Sequence, residues 1–371
     1  MKKAQILLII IVISVAGYFA TIGNGQNVEV ENEKTPIKIG SILMLSGVGA
    51  DYGESSKQGI DLAVKEINRE GGILGRKIEV THEGNKGDSS KDAVSAFLKL
   101  QAQGVKLIVG PNWTPSGLAL APMVTDTNAI LISPSLGSEK FAEAHKNIFN
   151  IWPPDKNGTY ALAEYMYKKG HRRVAVLGST QVWESDQAHF FKEKFKSLGG
   201  IVTVFELPSV ENKDLQTEAV KMLQSKSDAV LLTNYGQMSV AAKRLRVVGS
   251  KVPLYAVLMD ETTVEKANGA LEGVEFVTFY SPTDTFKEKY KKEYGKDPRV
   301  SADTAYDVIY LIKKAIENAG TSNIEEVQKE LSKIKTWSGA SGDFKFDEQG
   351  GIIKNPYFYK VKDGDIVKLG V

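Results

Sequence analysis

Hydroxyl side chains follow two apolar segments of the sequence, at points where a strand is expected to give way to a helix. Thr114 and Ser116 follow the apolar segment 105–109, and Ser133 and Ser135 close the next apolar segment. A hydroxyl at such a position can cap the N-terminus of the helix. Beside a cleft, the same hydroxyl can bind a carboxylate together with backbone N–H groups. The residues alone favour neither role.

A third loop of this kind comes earlier in the chain. The apolar segment 37–43 predicts a strand, and apolar residues at helical spacing follow from residue 60. Between them lie Gly47, Gly49 and Gly53, but a dinucleotide fingerprint requires the pattern G-x-G-x-x-G, which this spacing does not match. The loop therefore indicates a ligand-binding strand end without a phosphate site.

Catalytic patterns are missing from the sequence. The four histidines (His82, His145, His171 and His189) are dispersed, and neither a G-x-S-x-G elbow nor a phosphate-binding loop is present. Acidic and basic clusters match the pattern of solvated helix faces. We therefore expect a protein that is not an enzyme and that uses no metal and no cofactor.

Strands and helical segments alternate along the chain, which predicts parallel sheets covered by helices. The alternation restarts after the segment 151–154, and the segment 280–282 suggests a second crossing between two lobes. Loops at strand ends in one lobe, opposite a second lobe, predict a ligand cleft between them.

Composition narrows the functional classes. The chain has 371 residues, 25% of them charged, a net charge of +2 and no cysteine. These values are typical of a globular protein and argue against a nucleic-acid partner. Disulfides, thiolate metal sites and cysteine nucleophiles are excluded.

The N-terminus has the pattern of an export signal. Basic residues at the start precede an apolar stretch from Ile6 to Val15 that continues weakly to Ala20. We expect residues 1–26 to be a signal peptide or an N-terminal anchor, because the apolar stretch is short for a span of roughly 20 residues. The protein would be exported, either periplasmic or tethered to the outer face of the membrane by this segment alone.

The sequence resembles the type I periplasmic solute-binding proteins of ABC transporters, in the leucine/isoleucine/valine-binding group. The resemblance extends from Ile37 to Leu369. The motifs that carry it are Leu45-Ser46-Gly47, Tyr52-Gly53, residues 59–63, residues 67–76, Val109-Gly110-Pro111, residues 132–135, Ala305-Tyr306-Asp307 and residues 342–350.

The resemblance implies an α/β fold of two Rossmann-like lobes with parallel sheets, joined by a three-crossing hinge. Residues 37–152 plus 281–340 are expected to form lobe 1, and residues 153–280 plus 341–371 lobe 2. It further implies that the protein captures a small polar ligand, with an amino acid of the branched-chain type as the expected one, and delivers it to an ABC transporter permease as a monomer. The alternatives are a ligand-sensing domain for a membrane receptor, or a binder of amides, urea or aromatic acids.

Residue roles also follow from the resemblance. Thr114 would donate to a ligand carboxylate, helped by backbone groups of Ser135 and Gly137. The expected ligand-binding set is Ser46, Tyr52, Trp113, Thr114, Ser135, Gly137, Trp183, Tyr235 and Asp260 or Glu261, the last two being candidates to meet a ligand ammonium. Two features depart from the family pattern.

The first departure is the run Ser135-Leu136-Gly137, which lacks one hydroxyl that the family commonly has. The second is the bulky Trp113 in a loop of usually small residues. Trp113 is expected either to contact the ligand or to fill space beneath the loop. The absence of one hydrogen-bond donor would cost roughly 1.5–3 kcal/mol of binding free energy, which leaves micromolar binding attainable. The missing hydroxyl could also mark a ligand with a different head group.

Overall fold

The strand that starts at Ile37 begins a run of alternating strands and helices that builds a parallel sheet. The computed structural model describes residues 35–47, 49–86 and 89–370, so the predicted signal or anchor segment 1–26 lies outside the described residues. The elements of this run are β1 (Ile37–Leu43), α1 (Ala50–Arg69), β2 (Ile78–Gly84), α2 (Ser90–Ala102), β3 (Leu107–Val109), α3 (Thr114–Thr127), β4 (Ile130–Ser133), α4 (Glu139–Ala142) and β5 (Ile148–Asn150). Their strand order is β2-β1-β3-β4-β5, all parallel.

A second run of the same kind follows the first. It consists of α5 (Asp155–Lys168), β6 (Arg173–Leu177), α6 (Val182–Ser197), β7 (Ile201–Glu206), α7 (Gln216–Gln224), β8 (Ala229–Leu232), a short 3-10 turn at Tyr235–Gln237, α8 (Met238–Val247), β9 (Leu254–Val257), α9 (Glu261–Ala267) and β10 (Glu275–Thr278). The strands β8, β9 and β10 are buried along their whole length. Buried strands of this kind are expected where helices cover both faces of a parallel sheet.

The last part of the chain contributes to both halves. It forms α10 (Asp284–Tyr294), α11 (Ala302–Ala319), α12 (Ile324–Lys333), β11 (Thr336–Gly339), β12 (Gly342–Phe346), β13 (Ile352–Ile353), β14 (Tyr357–Lys362) and β15 (Asp365–Lys368). The strands β11, β12 and β13 make a small antiparallel sheet. The second large sheet has the order β15-β14-β10-β9-β8-β6-β7, in which β14 and β15 run antiparallel to their neighbours.

Each large sheet is covered on both faces, which defines two lobes. In lobe 1, one core joins Ile39 of β1 to Ile312 of α11, and the other joins Ile42 to Phe97 of α2. Lobe 2 likewise has one core against α5 and α6 and another against α7, α8 and α9. The expected two-lobed α/β fold with parallel sheets is confirmed. Among the described helices, none has both the length and the apolar character needed to cross a membrane.

Within the described residues, the chain passes between the lobes three times, and the last passage lies later than expected. Phe344 and Ile352 are buried in a core of lobe 1, whereas Val361 is buried in a core of lobe 2. The third crossing therefore lies between Ile353 and Tyr357, and the expected boundary at residue 341 needs correction. The apolar pattern of 342–346 predicts a strand, but only tertiary pairing with β11 decides to which lobe that strand belongs.

Candidate functional site

The carboxyl ends of β1, β3 and β4 lie at one edge of the lobe 1 sheet and bring three chain segments together. Tyr52 comes from the first turn of α1, Thr114 from the start of α3, and Ser135 from the loop after β4. Adjacent parallel strands all point their carboxyl ends to the same edge, which is where ligands bind in open α/β sheets.

The start of α3 distinguishes the two roles left open for Thr114. The N-cap residue is Trp113, and within the part of the chain that the structure describes no side chain caps this helix. The first N–H groups of α3 are therefore not paired with a capping side chain, which is the arrangement that binds anions at helix N-termini. By contrast, Ser116 accepts a hydrogen bond from Nδ2 of Asn85 at 2.9 Å, and Ser133 donates to the carbonyl of Pro111 at 2.7 Å. Those two hydroxyls have structural roles.

A buried polar network supports the three segments from below. Nδ2 of Asn112 donates to Oγ of Ser56 at 2.8 Å, and Oγ of Ser301 lies 2.7 Å from Ser56 and 3.1 Å from Ser135. The side-chain oxygen of Asn112 is buried and has no hydrogen-bond partner among the described residues. The network fixes Ser135 and Asn112 and leaves one acceptor unused.

A small cavity lies where these segments face lobe 2. It measures about 20 Å³ as the space open to the centre of a water molecule, which is room for about one water. Its lining residues are Tyr52, Asn112, Trp113, Thr114, Ser135, Gly137, Trp152, Asp155, Trp183 and Leu258. A solute of several heavy atoms can therefore enter only if the lobes or the lining side chains move apart.

The carboxylate of Asp155 is the charged group of this cavity. Nε1–H of Trp152 donates to Oδ1 at 2.8 Å, and Nε1–H of Trp183 donates to Oδ2 at 2.6 Å. Burial raises the pKa of the Asp155 carboxyl to about 6, while the two indole hydrogen bonds act in the opposite direction. At neutral pH the cavity therefore contains a buried, mostly ionised carboxylate held by two tryptophans.

Gly137 lies against this carboxylate. A Cβ atom at residue 137 would be 1.7 Å from Oδ2 of Asp155, and the backbone N–H of Asp155 donates to the carbonyl of Gly137 at 3.0 Å. Only glycine leaves room for the carboxylate at this distance. The loop after β4 and the start of α5 are thus in direct contact across the lobe boundary.

Two tryptophans from opposite lobes face each other at the cavity. The ring centroids of Trp113 and Trp183 are 6.4 Å apart, with an angle of 40° between the rings. Nε1–H of Trp113 is buried and has no hydrogen-bond partner within the described part of the chain. This N–H and the side-chain oxygen of Asn112 are an unpaired donor and an unpaired acceptor in the lining of one cavity.

The structure brings together six of the residues expected at the site: Tyr52, Trp113, Thr114, Ser135, Gly137 and Trp183. Burial raises the pKa of the Tyr52 hydroxyl above its usual value, so Tyr52 is neutral at physiological pH.

The other four expected residues lie outside this cavity. Ser46 is exposed, and Glu261 is exposed beside a larger cavity near the hinge. The hydroxyl of Tyr235 donates to Oδ2 of Asp260, and Oδ1 of Asp260 accepts from the backbone N–H of Thr263 at 2.7 Å, which caps α9. Both oxygens of Asp260 are thus engaged within lobe 2.

Four lining residues were not expected from the sequence: Asn112, Trp152, Asp155 and Leu258. One feature of the sequence distinguishes Asp155: it follows two prolines at a crossing between the lobes and precedes a helical segment. An acidic residue at a helix start is usually a favourable charge near the helix dipole, so this signal does not identify a ligand site.

One histidine has partners that the sequence did not reveal. Oγ of Ser41 lies 2.7 Å from Nδ1 of His82, and Nε2 of His82 lies 2.8 Å from Oδ1 of Asp61. The order of groups is that of a hydrolase triad, but Ser41 is completely buried in β1. No substrate can reach its hydroxyl, so the three residues form a structural link between β1, β2 and α1.

The fold and the cavity define a class: two α/β lobes with a small, aromatic-lined cavity between them. The sequence model of the periplasmic binding protein family matches residues 36–365. The chain belongs to the periplasmic binding protein family, as the sequence motifs predicted.

Curated relatives agree with this assignment. Leu/Ile/Val-binding protein homolog 3 of Brucella melitensis biotype 1 is 26% identical over 90% of this chain and 93% of its own length. Among solved structures, the leucine binding protein LivK of Thermotoga maritima has a TM-score of 0.83 and 26% identity, covering 90% of this chain and 98% of its own.

Two further solved structures contain ligands. The branched-chain amino acid transporter substrate binding protein LivJ of Streptococcus pneumoniae, in complex with isoleucine, has a TM-score of 0.83 and 26% identity, covering 90% of this chain and all of its own. An ABC transporter solute binding protein of Rhodopseudomonas palustris BisB5, in complex with 3,4-dihydroxybenzoic acid, has a TM-score of 0.81 and 25% identity, covering 91% and 97%.

Proposed function

We propose that this protein captures a small zwitterionic solute of the amino-acid class between its lobes and delivers it to an ABC importer. The observation that carries the proposal is the interlobe cavity at the strand ends of lobe 1. This cavity combines an uncapped helix start beside Thr114 with the buried carboxylate of Asp155. The leucine- and isoleucine-binding relatives support the same class of ligand.

The two ends of an amino acid match two sides of the cavity. A ligand carboxylate would accept from the Thr114 hydroxyl, from backbone N–H groups at the start of α3 and from Nε1–H of Trp113. The ligand ammonium would face Asp155, in the role that the resemblance implied for Asp260 or Glu261. Apolar parts of the ligand would contact Trp183 and Leu258.

The partner and the location follow from the same proposal. The export pattern of residues 1–26 directs the protein out of the cytoplasm. There the closed, ligand-bound form would dock as a monomer on a transporter permease, with the membrane contacted only through that N-terminal segment. Ligand would bind to the open form, and the two lobes would close about the three crossings.

A thermal-shift screen of the purified protein tests the proposal. A ligand that binds only the folded state raises the melting temperature, and the rise grows with its concentration above the dissociation constant. We expect a rise with at least one amino acid or amino-acid derivative. If amino acids, their derivatives, amides and aromatic acids all leave the melting temperature unchanged at millimolar concentration, the proposal is wrong.

A pair of variants tests the role of Thr114. Thr114→Ala removes one donor to the ligand carboxylate and should weaken binding by roughly tenfold or more, since a charge-assisted hydrogen bond contributes about 1.5–3 kcal/mol. Thr127→Val is the control, because the Thr127 hydroxyl donates to Met123 at the other end of the same helix. Equal affinity of Thr114→Ala and the wild type, by calorimetry, would remove Thr114 from the site.

A second candidate ligand class is an aromatic carboxylate. It is favoured by the presence of three tryptophans in the cavity lining and by the relative that is complexed with 3,4-dihydroxybenzoic acid. An aromatic acid carries no cation and would leave the Asp155 carboxylate facing an uncharged ring. Binding of benzoates in preference to all amino acids would establish this candidate instead.

A further inference from the structure

We propose that the cavity is an aromatic cage for a methylated ammonium group, so that the ligand is a small betaine-like zwitterion. This inference rests on the proposed function and narrows it. The ligand would carry its quaternary nitrogen among Trp113, Trp152, Trp183 and Tyr52, and its carboxylate at the start of α3.

The aromatic content of the lining is the first argument. The chain contains four tryptophans, and three of them line this one cavity together with a tyrosine. A cation within about 6 Å of such ring centroids is attracted by the negative ring faces, most strongly to tryptophan. Several aromatic rings around one small space are the known means of binding quaternary ammonium groups.

The hydrogen-bond inventory is the second argument. A primary ammonium group has three N–H donors that need acceptors when buried. Each oxygen of Asp155 accepts one indole N–H and keeps one further lone-pair site, and each oxygen of Asp260 already has a partner. Among the described residues, the lining also contains the unpaired side-chain oxygen of Asn112, so a primary ammonium would need all of these sites at suitable angles. A quaternary ammonium has no N–H group, so it leaves no buried donor unpaired.

Charge complementarity is the third argument. Among the described residues, the cavity lining contains the carboxylate of Asp155 and no lysine, arginine or histidine. The negative charge of Asp155 is thus held by two neutral indole donors, and no basic side chain of the lining neutralises it. A methylated cation would supply the missing positive charge without displacing either indole, because it needs only proximity and no directed hydrogen bond.

The two facing indoles belong to different lobes, so the size of the cage depends on the angle between the lobes. Trp113 belongs to lobe 1 and Trp183 to lobe 2, and their centroids lie 6.4 Å apart. This spacing is too short to hold a trimethylammonium group between the rings. A small rotation about the hinge would separate them, so that the ligand is enclosed by one tryptophan from each lobe.

The short distance between the carboxylate-binding groups and the cage limits the length of the zwitterion. The Thr114 hydroxyl and the unpaired Nε1–H of Trp113 lie in the same lining as Asp155. A carboxylate bound there would be separated from the cage by only a few bonds. Glycine betaine and other short N-methylated amino acids have this arrangement of charges.

Calorimetric titration of the protein with matched ligands tests the inference. Glycine betaine should bind, and 3,3-dimethylbutanoate, an isostere that keeps the shape and the carboxylate but has a neutral carbon in place of the cationic nitrogen, should bind about tenfold or more weakly. Affinity should increase along the series glycine, N-methylglycine, N,N-dimethylglycine and glycine betaine. Leucine, isoleucine and benzoate complete the panel as ligands of the proposed function.

Variants at the cage provide an independent readout. Trp113→Leu keeps an apolar side chain but removes one ring together with a donor to the carboxylate, so both ligands should bind more weakly. The loss should be about tenfold greater for glycine betaine than for 3,3-dimethylbutanoate, because only the betaine carries the cation. Trp113→Tyr retains a ring and should restore most of this difference between the two ligands. Because Trp113 is only partly buried, both variants are expected to fold, and their melting temperatures without ligand check this.

The outcomes separate the inference from the proposed function. If leucine, isoleucine or benzoate binds and no methylated compound does, the cage is wrong and the solute-binding function stands. If 3,3-dimethylbutanoate, which lacks the cation, binds as tightly as glycine betaine, the cation is not recognised and the inference is also overturned. If no compound of this panel binds but the thermal-shift screen finds another amino acid, the cage is wrong and the proposed function stands; if that screen also finds nothing, both fail.

Discussion

Nε1–H of Trp183 donates a hydrogen bond of 2.6 Å to Oδ2 of Asp155, and this contact joins the starts of two helices of lobe 2. The partner oxygen of the same carboxylate accepts from Trp152 in the first crossing. One buried carboxylate thus orients two indole rings of the cavity lining. These side chains of the cavity lining are therefore held in place in the absence of ligand.

Gly137 is expected to be irreplaceable because of this carboxylate. In Gly137→Ala the new Cβ would lie 1.7 Å from Oδ2 of Asp155, so the loop or the carboxylate must move. We expect a loss of stability of about 1–3 kcal/mol, as for other overpacked sites, and loss of ligand binding. Gly84→Ala is the matched control, because its nearest neighbour is a side-chain atom at an ordinary 3.6 Å. Urea unfolding and titration measure both effects; equal stabilities of the two variants would contradict the contact.

The raised pKa of Asp155 predicts a pH dependence of stability without ligand. Burial raises the pKa of this carboxyl from 3.8 to about 6 in the folded state. Between these values the folded state binds a proton that the unfolded state has lost, so stability falls as pH rises through this window. The corresponding free energy is roughly 3 kcal/mol at most.

The Asp155→Asn variant isolates this contribution. Its melting temperature should fall less between pH 4 and pH 7 than that of the wild type. Burial also raises the pKa of Asp303, to about 7, so the difference between the two proteins is the relevant quantity. Asp126→Asn, at an exposed position of α3, should keep the wild-type pH profile. Parallel profiles of Asp155→Asn and the wild type would show that Asp155 does not titrate in this window.

A polar contact across the cleft is expected to slow ligand release. Thr262 of lobe 2 donates to Oδ2 of Asp51 at 3.4 Å and accepts from Arg299, and Arg299 lies 3.7 Å from the same carboxylate oxygen. Both Asp51 and Arg299 belong to lobe 1. Exposed contacts of this kind contribute about 0–1 kcal/mol, so Thr262→Val should speed release by up to about fivefold.

Stopped-flow tryptophan fluorescence can measure this release, since Trp113 and Trp183 line the cavity. Thr203→Val is a suitable control, because the Thr203 hydroxyl contacts Ser227 within lobe 2. Raising the salt concentration should reduce the difference between Thr262→Val and the wild type. Unchanged release in Thr262→Val would mean that closure does not depend on this contact.

Much of the architecture could be predicted from local patterns. The strand at 37–43 and the helical spacing from residue 60 are both found where the sequence places them. Between β14 and β15, the dipeptide Asp363-Gly364 has the positive φ values that two-residue hairpin turns require. Hydrophobic periodicity and turn chemistry act over a few residues, so a single sequence contains them in full.

The site was only partly predictable, and Asp155 shows why. Strand order brings the loops of Tyr52, Thr114 and Ser135 to one edge, and this order follows from the motifs of the family. Asp155 and Trp152 line the cavity because they lie at the first crossing between the lobes. Asp260 lies outside the cavity, where it accepts a hydrogen bond from Tyr235 and caps α9. Such choices depend on contacts between segments far apart in the chain.

The sequence by itself determined the alternation of strands and helices, the export pattern and the family, because each is encoded in short-range pattern or in the order of motifs. The tertiary structure decided to which lobe residues 342–353 belong, which carboxylate faces the cavity and which indoles surround the cavity. These depend on burial and on pairing between distant segments. In a closed cleft, a carboxylate is available to a ligand only if its other hydrogen-bond partners leave it exposed there.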